Sequence, residues 1–369
     1  MKIAVVSAYA KSHLLLRLDM IKEFIARGHT VVAFGGEPEE AWSSVFAEHG
    51  VGYRSFFVNR NGVNPFEDLR TIRELTTLYE QEKPDKVFVY HSKGNIYGSI
   101  AAHRAGIDEI YAMVGGLGSV YHSSGVKNAI VRGVVSFEYK IALGYARAVF
   151  FQNDEDISLF TNKGIVDKGK VVKVHGSGVN VAQFPSRPLP ESPSFVFIGR
   201  LVRGKGLLDY LEAARIVKVT FPEVEFHVVG PYDTNPTALK PEDLKPYKSD
   251  GTAIFYGEQK DVRPFLAAAT CFVLPSYYGE GTPRSGLEAM ATGRPLIVAD
   301  AVGCREVVRN GENGFLVPPK DPGAIAEAME QLINDPGLAE RMGESSRRMA
   351  EELFDVRKVN DVICKTMGI

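Results

Sequence analysis

The 369-residue sequence predicts an α/β protein with two parallel sheets, each covered by helices. The chain is too long for one core of ordinary size, so two domains are expected. Short runs of β-branched and aromatic residues alternate with helical patterns from the first residue, which is typical of parallel sheets. Four prolines within residues 184–193 interrupt that alternation and indicate a linker. We therefore expect domains at 1–187 and 188–350, followed by a helical segment at 351–369.

Apolar runs bounded by turn residues predict the strands. In the first half they are Ile3–Val6, Thr30–Phe34, Gly52–Phe56, Lys86–Tyr90, Glu109–Met113, Ala148–Phe151 and Val171–Lys173. In the second half they are Ser194–Ile198, Glu225–Val229, Ala253–Tyr256, Cys271–Leu274, Pro295–Val298 and Phe315–Val317. Helices are expected between them, including one that Asp321 caps.

Composition narrows the class of protein. A net charge of −2 with 24% charged residues shows no overall bias toward nucleic acid or acidic membranes. The three cysteines are far apart and have no C-x-x-C spacing, which argues against disulfides or a zinc site and fits a reducing cytoplasm. The start lacks the apolar region of a signal peptide, and no apolar run is long enough to span a bilayer.

The segment Pro275–Ala291 carries the strongest chemical signal. It follows a predicted strand, is broken by Gly279, Gly281 and Pro283, and continues as a helix. The amides at such a helix start attract phosphate. Glu280 and Glu288 lie eight positions apart around it, so we interpret them as acceptors of hydrogen bonds from sugar hydroxyls. The alternative is that both are ordinary surface charges.

A second signal, Gly199–Gly206, directly follows the strand at 194–198. Arg200 and Lys205 supply cations, and the glycines allow close approach of the backbone. A diphosphate that leaves a sugar gathers negative charge, and fixed cations stabilise it. Taken alone, these residues could be solvent-facing loop charges.

Together the EGTPRSGLE and GR-x4-K motifs resemble the donor site of retaining glycosyltransferases of family 4. The resemblance implies the GT-B fold, in which two Rossmann-like domains face each other across a cleft and the last helix crosses back to the first. It implies catalytic roles for Arg200, Lys205 and Glu280, and ribose binding by Glu288. The other expected donor-site residues are Gly199, Gly230, Glu258, Gln259, Gly281, Thr282, Pro283, Arg284, Ser285, Gly286 and Leu287.

Two segments of the first half look like motifs of bacterial family-4 enzymes that extend polyprenyl-diphosphate-linked sugars. These are residues 91–98 (HSKGNIYG) and 114–121 (VGGLGSVY). The implied acceptor-site residues are Arg17, Lys93, Asn95, Gly116 and Gly118. The chain departs from the wider family at Gly115–Gly116, where many relatives carry a donor-binding histidine. For Arg17, a place on a helix surface is an equal alternative.

Two other classes of site are disfavoured. Asp154-Glu155-Asp156 spells the D-x-D of metal-dependent glycosyltransferases, but it opens a helix that Asn153 or Asp154 can cap. Cations and a helix start can serve the diphosphate instead, so we expect no metal and no cofactor. The loop after the first strand has no glycine, which disfavours a dinucleotide site and hence an NAD oxidoreductase.

The expected function is transfer of a hexose or N-acetylhexosamine from a UDP-sugar to a polyprenyl-diphosphate-linked sugar, at the inner face of the cytoplasmic membrane. The alternatives are another nucleotide-sugar donor with a soluble acceptor, or a nucleotide-sugar-binding protein without turnover. Residues 125–140 combine apolar side chains with Lys127, Arg132 and Lys140, which suits peripheral membrane contact. A buried helix with a few outward charges explains them slightly better.

Overall fold

The computed structural model describes residues 1–60, 62, 64–117, 121, 125–233 and 237–369, with residues 126 and 127 described by their backbone alone. The chain forms two compact units. The first comprises Met1–Ser177 and Val356–Ile369, and the second comprises Gly178–Asp355.

The first unit is built on a seven-stranded parallel sheet. Its strands are β1 Lys2–Val6, β2 Thr30–Gly35, β3 Gly52–Ser55, β4 Lys86–Tyr90, β5 Ile110–Val114, β6 Ala148–Phe151 and β7 Val171–Lys173, in the spatial order β3-β2-β1-β4-β5-β6-β7. The strands β1, β4, β5 and β6 are almost wholly buried, as expected when helices cover both faces of a sheet.

Among the described residues before Ser177, a three-residue helix Ala10–Ser12 is followed by the longer helices α1 Leu18–Ala26, α2 Glu39–Ala47, α3 Pro65–Glu82, α4 Ser99–Arg104, α5 Val126–Tyr145 and α6 Asp154–Asn162. Two short π-helical turns, His13–Arg17 and Gly94–Gly98, precede α1 and α4. Such turns often occur at functional sites. Both lie in the loops that follow β1 and β4, at the carboxyl edge of the sheet.

The second unit repeats the architecture with six parallel strands. They are β8 Ser194–Ile198, β9 Glu225–Val229, β10 Ile254–Gly257, β11 Cys271–Leu274, β12 Leu296–Ala299 and β13 Gly314–Val317, in the order β10-β9-β8-β11-β12-β13. Its helices are α7 Leu207–Thr220, α8 Pro241–Ser249, α9 Arg263–Ala268, α10 Arg284–Ala291, α11 Pro322–Asn334 and α12 Pro336–Leu353.

The last helix, α13 Val356–Met367, belongs to the first unit, where it packs beside α1. The same hydrophobic core contains Ile3 and Val5 of β1 together with Val359, Ile363, Cys364 and Met367 of this helix. The predicted return of the chain's end to the first domain is therefore confirmed.

The second unit begins at Gly178, earlier than the predicted position 188. The reason is visible in the contacts of the segment before the prolines. The amide of Val179 donates to the carbonyl of Phe354, and Phe184 is buried in the core of the second unit. Two arginines bind the proline-rich segment itself: Arg347 donates to the carbonyl of Phe184, and the fully buried Arg294 donates to that of Arg187.

All thirteen predicted strands are present, with ends within one residue of those expected. Asp321 caps α11 as predicted, because its side chain accepts a hydrogen bond of 3.0 Å from the amide of Ala324. Within the described ranges, no helix has both the length and the apolar character needed to cross a bilayer.

Candidate functional site

The candidate donor site is built from loops at the carboxyl edge of the second sheet. Gly199 directly follows β8, and Gly230 directly follows β9. Gly230 has φ 151°, and a Cβ there would lie 1.8 Å from the carbonyl oxygen of Gly199. Its amide donates to the carbonyl of Gly257, at 2.8 Å. Only glycine permits this approach, so the ends of three neighbouring strands are held together.

The turn that carries Lys205 is held against the loop that follows β11. The amide of Tyr277 donates to the carbonyl of Gly204, at 2.8 Å. Gly206 has φ 73°, and a Cβ there would lie 2.1 Å from the carbonyl oxygen of Pro275. This backbone packing brings the GR-x4-K loop alongside the residues that precede Glu280.

As a result, Lys205 Nζ contacts Glu280 Oε1 directly, although the two residues are 75 positions apart. Ser276 Oγ also donates to Glu280 Oε1, at 2.9 Å. Both side chains of the ion pair are mostly buried, with 12% and 14% exposed. Burial alone would raise the pKa of Glu280, but Lys205, Ser276 and Arg200 outweigh burial and lower it. Glu280 is therefore held ionised.

Gly303, in the loop after β12, supports the backbone of Glu280 from the other side. Its φ is 80°, and a Cβ there would lie 2.3 Å from the carbonyl oxygens of both Glu280 and Gly281. The next residue, Cys304, is buried and its thiol donates to the carbonyl of Ser276. Sequence reasoning missed Gly303. The sequence feature that could have identified it is a glycine in a loop that follows a predicted strand, at the same edge of the sheet.

Arg200 lies on the same edge but has a different partner. Its Nη1 is 2.8 Å from Asp233 Oδ2, and its guanidinium carbon lies 5.8 Å from the ring centre of Tyr278. Nearly half of the side chain is exposed. Arg200 therefore adds positive charge near Glu280 while its guanidinium faces solvent. Asp233 was not foreseen, because a lone Asp in a loop carries no motif.

The predicted helix start is present as α10, with Pro283 immediately before it. The amides of Gly286 and Leu287 both donate to the carbonyl of Pro283. The amides of Arg284 and Ser285 lie in the first turn, where backbone amides have no acceptor within the helix. First-turn amides are directed toward the N-terminal end of a helix, and such an end suits an anion.

Glu288 lies one turn further into α10. Its Oε1 accepts from Arg284 Nε, at 2.9 Å, and only 14% of its side chain is exposed. Burial raises the pKa of Glu288, and Arg284 offsets only part of that effect. A buried carboxylate with one cationic partner has remaining lone pairs, and hydroxyl donors of a ligand could satisfy them.

Two of the expected donor-site residues, Glu258 and Gln259, lie in the loop that follows β10. Glu258 and Gln259 are both exposed, and Gln259 Nε2 donates to the carbonyl of Tyr256, at 2.8 Å. The loop lies on the same edge of the sheet, two strands away from β8 in the order β10-β9-β8.

The candidate acceptor residues lie at the carboxyl edge of the first sheet. Lys93 Nζ is 2.6 Å from Asp68 Oδ1, and each side chain is 15% exposed. Asn95 is buried in the π-helical turn after β4, and its Nδ2 donates to the carbonyl of Met113, at 2.9 Å. Asn95 thus holds the turn against β5. Gly116 has φ 99°, which favours glycine, and Gly118 lies outside the described residues.

Arg17 is buried, with 4% exposed, so it is not on a helix surface. It ends the π-helical turn His13–Arg17. Its Nη2 donates to Met113 Sδ, and its guanidinium carbon lies 5.3 Å from the ring centre of Tyr90. A buried cation therefore lies at this edge of the sheet, and its predicted role with phosphate stays a prediction.

A chain of hydrogen bonds near Arg17 was missed entirely. It runs from His91 Nδ1 to Ser7 Oγ (2.9 Å), Ser12 Oγ (3.0 Å), Tyr90 OH (2.9 Å) and His13 Nδ1 (2.9 Å). His13 is fully buried, and burial lowers its pKa to about 4. His91, at the other end, is exposed and has a left-handed φ of 62°. The residues come from two segments that are about 80 positions apart, the one after β1 and the end of β4, so they give no sequence motif for such a network.

The D-x-D sequence lies at a helix start, as predicted. Asn153 caps α6 by accepting from the amide of Asp156, at 2.7 Å. Asp154 pairs with Lys173 on the surface, whereas Asp156 is buried. No cluster of three His, Cys, Asp or Glu side chains suited to a metal occurs in the part of the chain that the structure describes.

Comparison with known proteins now decides the class of the second unit. Residues 192–335 match the family described as "Glycosyl transferases group 1". The chain carries a group 1 glycosyltransferase domain. The match spans both donor-site motifs and the loops that position them, so the predicted class of enzyme, a glycosyltransferase, is confirmed.

Two curated relatives of the glycosyltransferase are similar over most of its length. One is the N,N'-diacetylbacillosaminyl-diphospho-undecaprenol alpha-1,3-N-acetylgalactosaminyltransferase of Campylobacter jejuni, 27% identical over 92% of this chain and 91% of the relative. The other is the UDP-Gal:alpha-D-GlcNAc-diphosphoundecaprenol alpha-1,3-galactosyltransferase of Escherichia coli, 28% identical over 84% of this chain and 82% of the relative.

Solved structures agree on the fold. Anabaena HepE in complex with UDP and glucose has a TM-score of 0.80 at 18% identity, covering 100% of this chain and 99% of that one. A sucrose-phosphate synthase from Thermosynechococcus elongatus has a TM-score of 0.82 at 18% identity, covering 99% and 98%. With two Rossmann-like units and a last helix that returns to the first, the predicted GT-B fold is confirmed.

Proposed function

We propose that this glycosyltransferase transfers a hexose or N-acetylhexosamine from a UDP-sugar to a polyprenyl-diphosphate-linked sugar, with retention of the anomeric configuration. The observation that carries the donor half is the buried contact of Lys205 with Glu280, beside Arg200 and the start of α10. Such a site offers fixed cations to a departing diphosphate and an ionised carboxylate to sugar hydroxyls. UDP as the nucleotide is supported by the complexes of HepE with UDP and UDP-glucose.

The acceptor half rests on two kinds of support. The names of both full-length relatives specify a sugar linked to undecaprenol through diphosphate. In this chain the expected acceptor residues Lys93, Asn95 and Arg17 share the carboxyl edge of the first sheet, where ligands of open α/β sheets bind. Lys93 and Arg17 can bind phosphate oxygens, while Asn95 holds the loop in place.

No metal and no cofactor enter the proposed reaction. Lys205, Arg200 and the amides of Arg284 and Ser285 provide positive charge for the diphosphate. The surface of α5 gives the enzyme a means of peripheral contact with the cytoplasmic membrane face. Ile130, Val134 and Phe137 are 64%, 55% and 64% exposed on α5, and the cations Arg132, Lys140 and Lys163 line a groove beside Phe137.

The test is a transfer assay with a panel of UDP-sugars and a short polyprenyl-diphosphate-GlcNAc, with release of UDP and formation of product measured together. Retention is read from the anomeric coupling constant of the product. Activity should persist in a chelator. If UDP is released with every donor but no glycosylated lipid forms, the acceptor assignment is wrong. An absolute need for Mg²⁺ or Mn²⁺, restored by titration, would overturn the metal-free mechanism.

A further inference from the structure

The first unit contains an apolar cleft, and the residues described as lining it include none of the predicted acceptor-site residues. We call it the α5 cleft. Its apolar lining comes from the turn after β4, the loop after β5 and one side of α5, and includes Ile96, Tyr97, Leu117, Val131, Val134 and Val135. Its volume is about 430 Å³. On the outer side it opens along α5, where Ile130 and Val134 are more than half exposed.

We propose that the α5 cleft binds the first isoprene units of the acceptor's polyprenyl chain. This inference rests on the proposed function and adds to it a separate site for the lipid. The expected acceptor residues are proposed to bind the diphosphate. That assignment leaves the hydrocarbon chain of the acceptor without a binding site.

Size and lining favour a hydrocarbon chain. The volume is nearly three times the ~150 Å³ of an apolar cavity that accommodates benzene, so it has room for roughly fifteen carbon atoms, or about three isoprene units. The lining is mainly aliphatic and aromatic, and its polar members include Asp68, Ser92 and Glu138. Hydrocarbon that replaces water against the apolar part of this lining gains free energy by burial.

Position connects the cleft to the charged end of the acceptor. Ser92, Ile96 and Tyr97 line the cleft and belong to the segment that carries Lys93 and Asn95. Asp68, which pairs with Lys93 at 2.6 Å, lines it as well. A chain bound in the cleft therefore has its attached diphosphate near Lys93, which can exchange the carboxylate of Asp68 for phosphate oxygens.

The exposed apolar side chains continue the cleft toward a bilayer. Apolar residues that are more than half exposed on one helix face are uncommon on a monomer and indicate a binding surface. Ile130 and Val134 belong both to the cleft and to that face, so a lipid could pass from the membrane into the cleft without crossing water. The continuity favours a chain that is anchored in a bilayer over a free apolar metabolite.

Direct binding provides the primary test, since it needs no donor. Prenyl diphosphates of one, two, three and four isoprene units are titrated by calorimetry, each below its critical micelle concentration and without detergent. Each buried methylene contributes up to roughly fourfold in affinity. We expect at least a tenfold gain from one to three units and less than threefold from three to four, because the cleft is then full.

Val134→Trp fills the cleft and should reduce the affinity for the three-unit compound to that of the one-unit compound. Ile141→Trp is the matched control: Ile141 is 38% exposed on the same helix and does not line the cleft, so chain-length dependence should remain. Val134→Asp, with Ile141→Asp, repeats the comparison with a charge in case the larger ring rearranges the helix. Circular dichroism and thermal unfolding verify that each variant is folded.

Three results would overturn the inference: affinity that is independent of chain length, a Val134→Trp variant that keeps the gain, or equal binding of dodecyl phosphate with the same dependence on Val134. The last would make the cleft a general hydrocarbon site. Transfer assays separate this from the proposed function. Turnover of lipid acceptors without chain-length dependence keeps the function and removes the cleft, while chain-length-dependent binding without any transfer removes the function.

Discussion

Replacement of Lys205 by alanine gives the sharpest test of the donor site. Lys205 is the cation that contacts Glu280, with 12% of its side chain exposed. It is positioned by the backbone bond of Gly204 to Tyr277 before any ligand binds. Loss of one preorganised group that stabilises developing charge lowers turnover by about 10²–10³, or roughly 3–4 kcal/mol of the barrier. We expect a loss of that size for Lys205→Ala.

The same change affects stability, because it leaves the Glu280 carboxylate without its main counter-ion. Removal of one partner of a buried ion pair costs about 3–5 kcal/mol. For a unit the size of Gly178–Asp355 this corresponds to a decrease in Tm of roughly 6–20 °C. Turnover must therefore be measured well below the Tm of the variant and expressed per folded molecule.

Two further variants separate charge stabilisation from stability. Glu280→Gln removes the carboxylate, and the double variant Lys205→Met with Glu280→Gln removes both charges. The double variant should regain most of the stability, since neither charge is left buried alone, but none of the turnover. The assay is initial-rate release of UDP at saturating donor and acceptor, with unfolding followed by calorimetry. Wild-type turnover in folded Lys205→Ala, or restored turnover in the double variant, would refute the reasoning.

The remaining predictions concern single properties of the two units. Glu288→Gln should weaken UDP binding by tenfold or more in calorimetry yet leave Tm unchanged or higher, because burial raises the pKa of Glu288 and the ionised form is unfavourable in the fold near neutral pH; unchanged UDP affinity would remove Glu288 from the ribose site. His13 has a folded pKa of about 4 against an ordinary 6.5, so the stability that it contributes is present above pH 6.5 and is lost as pH falls toward 4. Between pH 7 and 5 that loss is about 2 kcal/mol in urea unfolding, and His13→Gln should abolish it; an identical pH slope in the variant would contradict the assignment. Arg132→Glu with Lys140→Glu should release the enzyme from anionic vesicles in flotation while transfer to a short soluble acceptor persists, and a wild type that ignores such vesicles would count against the membrane surface.

Most of the fold could be predicted from the sequence because parallel strands are buried on both faces. Strands such as β4 (Lys86–Tyr90) and β8 (Ser194–Ile198) are short, mainly apolar runs. Such runs can be recognised in the sequence without knowing which strands they pair with. The unit boundary was less predictable. It depends on the bond from Val179 to Phe354, across 175 positions, whereas the prolines that suggested a linker are held by arginines of the second unit.

The candidate site was predictable only in part, for a related reason. Motif spacing identifies Arg200, Lys205, Glu280 and Glu288, but it does not say which of them touch. The structure pairs Lys205 with Glu280 and Arg284 with Glu288, and gives Arg200 the unforeseen partner Asp233. Each pair except the one within α10 joins separate loops, so it depends on how strand ends are arranged in the sheet.

The first unit shows the same limit for buried polar groups. Arg17 and His13 occur in a sequence that reads as an ordinary amphipathic segment, yet both are buried at the carboxyl edge of the sheet. The π-helical turn His13–Arg17 directs them inward, toward Tyr90. A sequence pattern of period 3.6 does not predict a turn whose hydrogen bonds join residues five positions apart.

Glycine is what allows the loops of the second unit to place charged side chains so closely. Gly206, Gly230 and Gly303 all have positive φ, and a Cβ at each would lie within 2.3 Å of a carbonyl oxygen in a neighbouring loop. The loops thus pack backbone against backbone. Because the backbones are close, the side chains of Lys205 and Glu280 are in contact, and their geometry is fixed before a donor binds. Preorganised charge of this kind stabilises a transition state without reorganisation during the reaction. The contacts between the loops cannot be read from the sequence motifs, yet they place the charged side chains of those motifs where they can act on a donor.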